Sequence, residues 1–263
     1  MKVLVTVSEV ADVDDEFEID GLGIESRYLT YDLNEWDNYA VEEAVQLAEA
    51  HDDVEVVTAT IGPERTEETI RQALAKGADR ALRVWDDALE EASVLDPMTK
   101  AQVLAAVVED EEPDLVLTGV QTGDDAFGAT GVALASSVDY AWGAVVNQLD
   151  YEPGNDVANL HRELEGGIEE IAEVDVPAVL TIQTGINEPR YASLRGIRQA
   201  QSKPLDAHTL GEIGVDADGL PLPLTLTDLE EPEVESDVEL FEGSPEETAG
   251  ALAEMLRDQG VEA

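Results

Sequence analysis

The segment GVQTGDDAFGATG, residues 119–131, combines four glycines with the adjacent pair Asp124 and Asp125. It lies between an apolar run and a helical pattern, so its backbone would be open to a ligand and a helix N-terminus would offer free N–H groups to a phosphate. It is neither a P-loop nor the dinucleotide fingerprint. The two aspartates would repel a phosphate that they faced. They would bind ribose hydroxyls or cap the helix, and capping is the role that we expect for either one taken alone.

A second segment, GINEPRYASLRGIRQAQSK, concentrates positive charge in a chain with fourteen basic residues; it contains Arg190, Arg195, Arg198 and Lys203. Opposite charge steers a partner and fixes its orientation, and an apolar side chain such as Leu194 inside a polar rim is typical of a contact site. The alternative is that these cations only neutralise nearby carboxylates. Composition alone does not separate the two interpretations.

Residues with the spacing of a catalytic or metal site are missing from the sequence. His51, His161 and His208 are scattered, and no serine lies in a nucleophile-elbow motif. The chain has no cysteine, which excludes disulfides, cysteine-ligated zinc, iron–sulfur clusters and thiol catalysis. We therefore predict a protein that binds no metal and has no catalytic residues of its own.

The charge balance is extreme, with 61 acidic against 14 basic residues and a formal net charge of −47. Such repulsion destabilises a compact chain unless salt screens it, so we predict a halophilic protein adapted to a cytoplasm of high salt. Binding to nucleic acid or to an anionic membrane is not expected. No apolar stretch is long enough to insert into a membrane, and a soluble, cytoplasmic protein is predicted. Acidic disorder fits only residues 227–247.

Strands and helices alternate over the first half of the chain. Apolar runs at 3–7, 54–61, 81–84 and 114–119 predict strands, and helical spacing predicts helices from Asn34, from a Thr66 cap to Gly77, over 96–108, and up to about residue 136. This alternation is typical of an α/β fold, a Rossmann-like parallel sheet with helices on both faces. Ligands bind such sheets outside the carboxyl ends of the strands.

The pattern changes after residue 139. Four β segments, 145–151, 157–163, 167–174 and 178–183, are predicted to be antiparallel strands added to the parallel sheet. We divide the chain into a nucleotide-binding domain, 1–206, and an acidic, proline-rich C-terminal arm, 207–263. The arm is predicted to end in a helix over 245–259 with a capping box of Ser244 and Glu247.

Several motifs, in the same order, resemble the beta subunit of electron transfer flavoproteins from the N-terminus to about residue 206. They are NEWDNYAVEEA at 34–44, IGPERTEETIRQALAKGADRA at 61–81, the glycine-bearing loop at 119–131, RELEGGIEEI followed by VPAVLT at 162–181, and NEPRYASL at 187–194. The resemblance implies a heterodimer with an alpha subunit that carries most of the contacts to a redox-active FAD. It also implies a buried AMP in this subunit.

The resemblance also implies the residues at each site. The residues expected around AMP are Thr6, Asn34, Glu35, Trp36, Asp37, Ile61, Gly119, Val120, Gln121, Thr122, Gly123, Asp124, Asp125, Gly128, Ala129 and Thr130. Those expected to dock partners, with Leu194 as the anchor, are Arg190, Tyr191, Leu194, Arg195 and Arg198. The implied partners are acyl-CoA or related dehydrogenases and a quinone oxidoreductase.

Three positions depart from the family pattern, and each one lacks a cation near the expected phosphate. Ser8 and Glu9 replace a Lys-Arg pair, and Val120 replaces a lysine. We expect helix N–H groups and sodium or potassium ions to balance the phosphate charge instead. Two alternatives stay open. One is a branch of the family that holds a second FAD and oxidises NADH at this site, and the other is an adenine-nucleotide-binding module with no redox role.

Overall fold

The computed structural model describes residues 1–92, 94–231, 238 and 240–260. The chain divides into two compact units, Met1–Leu229 and Glu230–Ala263. The first unit contains all the strands found in the described residues: β1 (Lys2–Thr6), β2 (Glu9–Val13), β3 (Ile19–Asp20), β4 (Gly23–Ile24), β5 (Leu29–Leu33), β6 (Glu55–Ile61), β7 (Arg80–Val84), β8 (Leu115–Gly119), β9 (Ala141–Asp150), β10 (Val157–Leu164), β11 (Ile168–Asp175), β12 (Ala178–Ile182) and β13 (Leu205–His208).

A nine-stranded sheet forms the centre of the first unit, in the order β11-β10-β9-β12-β8-β1-β6-β7-β13. The pairs from β9 and β12 across to β7 and β13 are parallel, which confirms the predicted parallel sheet. The antiparallel pairs of this sheet are β9 with β10 and β10 with β11, so the segment predicted at 145–151 is antiparallel to β10 but parallel to β12. The expectation that segment 178–183 is antiparallel was wrong, because β12 pairs in parallel with both β8 and β9.

Helices cover both faces of the sheet, as predicted. The helices of the described residues are α1 (Glu35–Ala50), α2 (Glu67–Lys76), α3 (Asp87–Glu90), α4 (Pro97–Glu111), α5 (Thr130–Val138), α6 (Leu194–Ala200) and α7 (Pro245–Asp258). Val3 and Val5 of β1 point into one apolar core with α1 and α2, whereas Leu4 points into a second core with α4 and α5. This alternation follows from the two-residue period of a strand that is buried on both faces.

Four features of the first unit were not expected from the sequence. Strands β2 and β5 form a separate antiparallel hairpin, and β13 adds a parallel strand beside β7. The boundary expected at residue 206 falls inside β13, and the compact unit continues to Leu229. Thr66 precedes α2 but does not cap it with its side chain, because its hydroxyl donates to the carbonyl of Pro63 at 2.8 Å.

The turn between β10 and β11 requires its two glycines. Gly166 and Gly167 have φ angles of 78° and 73°, in the left-handed region that other residues rarely adopt. The hairpin predicted from this Gly-Gly pair is therefore present, with the two strands in register from Val157 opposite Asp175 to Leu164 opposite Ile168.

The second unit contains α7, and the predicted capping box is confirmed. The Ser244 hydroxyl accepts from the backbone N–H of Glu247, and the Glu247 carboxylate accepts from the Ser244 N–H at 2.8 Å. Residues 232–237 and 239, part of the stretch for which disorder was considered, lie outside the described residues.

A buried carboxylate ties together the strand ends at the centre of the sheet. Asp37, in the first turn of α1, accepts from the backbone N–H of Ser8 at 2.7 Å and from that of Gly119 at 2.9 Å. These residues follow β1 and end β8, the neighbours between which the chain reverses its direction across the sheet. Burial raises the pKa of Asp37 to about 6, although the Ser8 and Gly119 amides act in the opposite direction.

Gly119 is required at this junction because of close packing. A Cβ at this position would lie 2.6 Å from Oδ1 of Asp37 and 2.7 Å from Cβ of Trp36, so any side chain would push α1 away from β8. The contact between α1 and β8 therefore requires a glycine at position 119 as well as the carboxylate of Asp37.

We predict that Asp37 gives the protein a pH-dependent stability that Asp37→Asn lacks. The folded pKa of about 6 lies above the model-peptide value of 3.8, so folding takes up a proton and the free energy of unfolding falls as pH rises between these values. At about 1.4 kcal/mol per pKa unit, the free energy of unfolding of the wild type relative to Asp37→Asn decreases by about 2.4 kcal/mol from pH 4 to pH 7, because the unfolded carboxyl is already partly ionised at pH 4. Denaturant unfolding in molar KCl, at several pH values, measures the free energy of unfolding of the wild type and of Asp37→Asn. A difference that stays constant, or that grows with pH, contradicts the burial of this carboxylate.

Candidate functional site

The carboxyl ends of β1, β6 and β8 open into a cleft of about 590 Å³ at the point where the strand order reverses. Most residues predicted to surround a nucleotide line it: Thr6, Asp37, Ile61, Gly119, Val120, Gln121, Thr122, Asp124, Asp125, Gly128, Ala129 and Thr130. Residues that are far apart in the chain are thus brought together by the parallel sheet.

Four predicted residues, Asn34, Glu35, Trp36 and Gly123, do not line the cleft. Two of them, Asn34 and Trp36, form hydrogen bonds to the loops after β8 and β12. The amide of Asn34, which is fully buried, donates to the carbonyl of Gln121 at 2.9 Å. The indole N–H of Trp36 donates to Oε1 of Gln183, at the end of β12, at 3.2 Å. These contacts fix the start of α1 against the loops after β8 and β12.

One wall of the cleft is apolar, and sequence reasoning identified only Ile61 on it. The other large members come from the end of β7, α3, α4 and the segment between the two helices: Trp85, which follows β7, Leu89, Leu95 and Leu104. An apolar wall of this kind fits an aromatic base. Nothing in the local sequence separates these side chains from ordinary core residues.

The glycine-bearing loop enters α5 without a side-chain cap. The helix begins at Thr130 with Ala129 before it, so the expectation that Asp124 or Asp125 caps the helix was wrong. Asp125 instead accepts from the Thr122 hydroxyl at 2.9 Å and from the N–H of Phe127 at 3.1 Å. Asp124 accepts from the N–H of Asp125 at 2.8 Å, so both aspartates stabilise the loop itself, and the first-turn N–H groups of α5 lack intrahelical partners.

Two cations line the cleft, and the sequence did not identify either. Lys100 of α4 donates to Oδ2 of Asp125, and Arg65 pairs with Glu9 and lies over the ring of Tyr31, 4.0 Å from its centroid. The cleft therefore contains two cations in addition to the helix N–H groups and inorganic cations that we expected to balance a phosphate charge. One signal was present: a lysine near the start of a helix opposes the helix dipole and needs another reason to be there.

The Lys100 pair also changes the titration of its partner. Burial alone would raise the pKa of Asp125, but hydrogen bonds from Lys100, Phe127 and Thr122 hold it below its usual value. Asp125 is therefore an anion at neutral pH, and its charge is balanced by the ammonium of Lys100.

The basic segment after Gly185 divides into internal and exposed cations. The Arg190 guanidinium donates to Glu42 at 2.8 Å and 3.0 Å and to Glu49 at 2.6 Å and 2.9 Å, both on α1. Arg190 therefore neutralises carboxylates of this chain, which is the alternative interpretation given above for the basic segment. Lys203 likewise turns inward and donates to the carbonyl of Leu74 at 3.1 Å, near the end of α2.

The other predicted docking residues lie on the surface around the start of α6. Tyr191 is 98% exposed and Leu194 is 77% exposed. Arg195 and Arg198 are exposed as well, and neither forms an ion pair with any residue that the structure describes. The Ser193 hydroxyl accepts from the N–H of Gly196 at 3.0 Å and so caps α6.

Helix α6 is held firmly on α2 beneath these exposed groups. A Cβ on Gly196 would lie 2.3 Å from the carbonyl oxygen of Ala75, which shows how closely the two backbones approach. Arg71 of α2 donates to the carbonyls of Ala200 at 2.6 Å and Lys203 at 2.8 Å, at the far end of α6. The surface that carries Leu194 is therefore preorganised.

In the described part of the chain, no helix combines the length and the apolar character needed to cross a membrane.

Comparisons with known proteins agree with this architecture. A family model, the electron transfer flavoprotein domain, matches residues 22–212. The electron transfer flavoprotein subunit beta of Methylophilus methylotrophus is 48% identical over 220 residues, covering 82% of this chain and 82% of that protein. The subunits beta of Bos taurus and Homo sapiens are each 35% identical over 260 residues, covering 98% of this chain and 94% of theirs. This chain belongs to the electron transfer flavoprotein family and corresponds to its beta subunits.

Proposed function

We propose that this chain pairs with an electron transfer flavoprotein alpha subunit, holds one AMP as a structural ligand, and docks dehydrogenases through α6. The observation that carries the nucleotide assignment is the cleft where the strand order reverses, with the glycine-bearing loop on one side and an apolar wall on the other. The exposed Leu194 on a rigid helix supports the docking role.

The residues of the cleft fit an adenine nucleotide. Its volume of about 590 Å³ lies within the roughly 300–1,000 Å³ common for ligand sites. The base would contact the apolar wall, which includes Ile61 and Leu104. The carboxylate of Asp124 is an acceptor for ribose hydroxyls, and the N–H groups at the start of α5 are donors for a phosphate. No space is left for a side chain at Gly119, where the backbone forms the floor.

In this proposal the chain contributes binding and shape, and it needs no catalytic residue. FAD, held mainly by the alpha subunit, supplies the redox chemistry when it is bound. The hydrogen bonds to Asp37 keep the nucleotide cleft formed, and α6 presents Leu194 beside Arg195 and Arg198 to an acidic partner surface. Acyl-CoA or related dehydrogenases would donate electrons and a quinone oxidoreductase would accept them. A salt-rich cytoplasm is the setting that the charge of −47 favours.

One test of the proposed function is the nucleotide content of the purified heterodimer. Co-expression with the alpha subunit in molar KCl is expected to give a yellow heterodimer, because one partner carries FAD. Acid release followed by chromatography is expected to give one FAD and one AMP per pair. Two FAD together with reduction by NADH would replace this proposal by the branch with a second flavin. A colourless pair that still contains an adenine nucleotide would favour the module without a redox role.

A separate test concerns the exposed leucine of α6. Leu194→Ala is expected to lower kcat/KM for electron transfer from the dehydrogenase by about 10- to 100-fold, since burying a leucine at an interface contributes roughly 1.5–3 kcal/mol. FAD and AMP content stay unchanged, because Leu194 contacts neither site in this chain.

Leu22→Ala is the matched control for Leu194→Ala, since Leu22 is 51% exposed and lies on the turn between β3 and β4. Its transfer rate is expected to equal that of the wild type. Equal rates in Leu194→Ala and Leu22→Ala would remove the anchor role.

A further inference from the structure

The charges around the cleft create a problem for any phosphate. The described residues that line the cleft include five carboxylates and two cations; the carboxylates are Glu9, Asp37, Glu90, Asp124 and Asp125, and the cations are Lys100 and Arg65. A phosphate adds further negative charge to this site. Direct contact with one of the two cations would offset this repulsion more strongly than the N–H groups at the start of α5 alone.

Arg65 is poorly placed for this role. Its guanidinium pairs with Glu9, and the Glu9 carboxylate also accepts from the Thr69 hydroxyl at 3.0 Å. The Arg65 side chain is 52% exposed and lies over the ring of Tyr31. The contacts of the Arg65 guanidinium are thus with the β2–β5 hairpin, and water screens its charge.

Lys100 is better placed for a phosphate. Its side chain is only 24% exposed and reaches from the first turns of α4 to Asp125, in the loop that leads into α5. An ammonium group has three N–H donors, and Asp125 is its hydrogen-bond partner among the described residues. Two donors therefore remain beside a loop whose backbone is open and a helix start whose N–H groups are free.

We propose that Lys100 binds the phosphate of the nucleotide and supplies the positive charge that Ser8, Glu9 and Val120 do not. This assignment rests on the proposed AMP site. It adds that the cleft recognises the phosphate group through α4, a helix that contributes no residue to the predicted nucleotide set. Asp125 is the neighbour whose charge the ammonium balances when no phosphate is bound.

The test compares AMP with adenosine, which lacks the phosphate. Isothermal titration is done on the heterodimer that retains FAD but has been freed of AMP, in the wild type and in Lys100→Gln, Lys100→Arg, Arg65→Gln and Asp125→Asn. Lys100→Gln is expected to weaken AMP binding by about 10- to 100-fold, the range for loss of a charged hydrogen bond. Adenosine affinity stays within about 2-fold, because the lost contact involves only the phosphate.

The control variants separate a phosphate contact from a merely structural pair. Arg65→Gln removes the same charge from the same cleft, and its AMP affinity is expected to change less than about 3-fold, as for an exposed ion pair. Lys100→Arg retains the cation and is expected to preserve AMP binding. Asp125→Asn keeps an oxygen that accepts from Lys100 and removes a negative charge, so its AMP affinity is expected to be at least that of the wild type.

Four results would overturn the assignment. Equal losses of AMP and adenosine affinity in Lys100→Gln, or equal weakening in Lys100→Gln and Asp125→Asn, would show that the pair only orders the loop. Equal losses in Lys100→Gln and Arg65→Gln would show that net charge alone matters. A wild-type heterodimer that binds no AMP would overturn the proposed function itself, and this assignment with it.

Discussion

The buried carboxylate of Asp37 is the interaction on which the site depends. Parallel strands end at one edge of the sheet, where their N–H groups and loops have no regular partners. Asp37 reaches from the first turn of α1 and accepts from the amides of Ser8 and Gly119, so β1, β8 and α1 meet at one point. Burial raises the pKa of this carboxyl to about 6, so the anion is costly, and its two amide contacts offset part of that cost. The cleft lies directly beside this junction, which explains how loops from distant parts of the sequence keep a fixed arrangement.

Positive charge is scarce in this chain, and the structure uses most of it internally. At the amino end of the sheet, hydrogen bonds from Arg80 outweigh burial and, with Lys2, lower the pKa of Glu111 to about 2. Arg190 joins the segment before α6 to α1 through Glu42 and Glu49. Such pairs join elements that are distant in sequence, and they persist in salt better than exposed pairs because they are partly buried. The exposed cations of α6 therefore contrast with an acidic surface, and this contrast supports the proposed docking role of α6.

The sequence predicted the elements that have a strong period or a clear boundary. Strands β1, β6, β7 and β8, helices α1, α2, α4 and α5, and the capping box at Ser244 all follow from local patterns. The direction of β12 did not, because an apolar run such as AVLTI carries no information about its neighbours. Lys100 and Arg65 were missed since their approach to the cleft depends on how α4 and α2 pack. Arg190 shows the same limit: a charged residue in a loop is equally consistent with docking and with an internal ion pair, and only its distances to Glu42 and Glu49 decide between them.

Hydrogen exchange at the amides of Ser8 and Gly119 is the most direct measurement of the central claim, that Asp37 forms the cleft before any nucleotide enters. In the protein without a nucleotide, both amides are expected to exchange slowly, as amides bonded to a buried acceptor do. In Asp37→Ala both are expected to exchange at least about 10-fold faster, while the amides paired between β1 and β6 keep their protection. Fast exchange of Ser8 and Gly119 in the AMP-free wild type would contradict the account, because the cleft would then form only when the nucleotide binds.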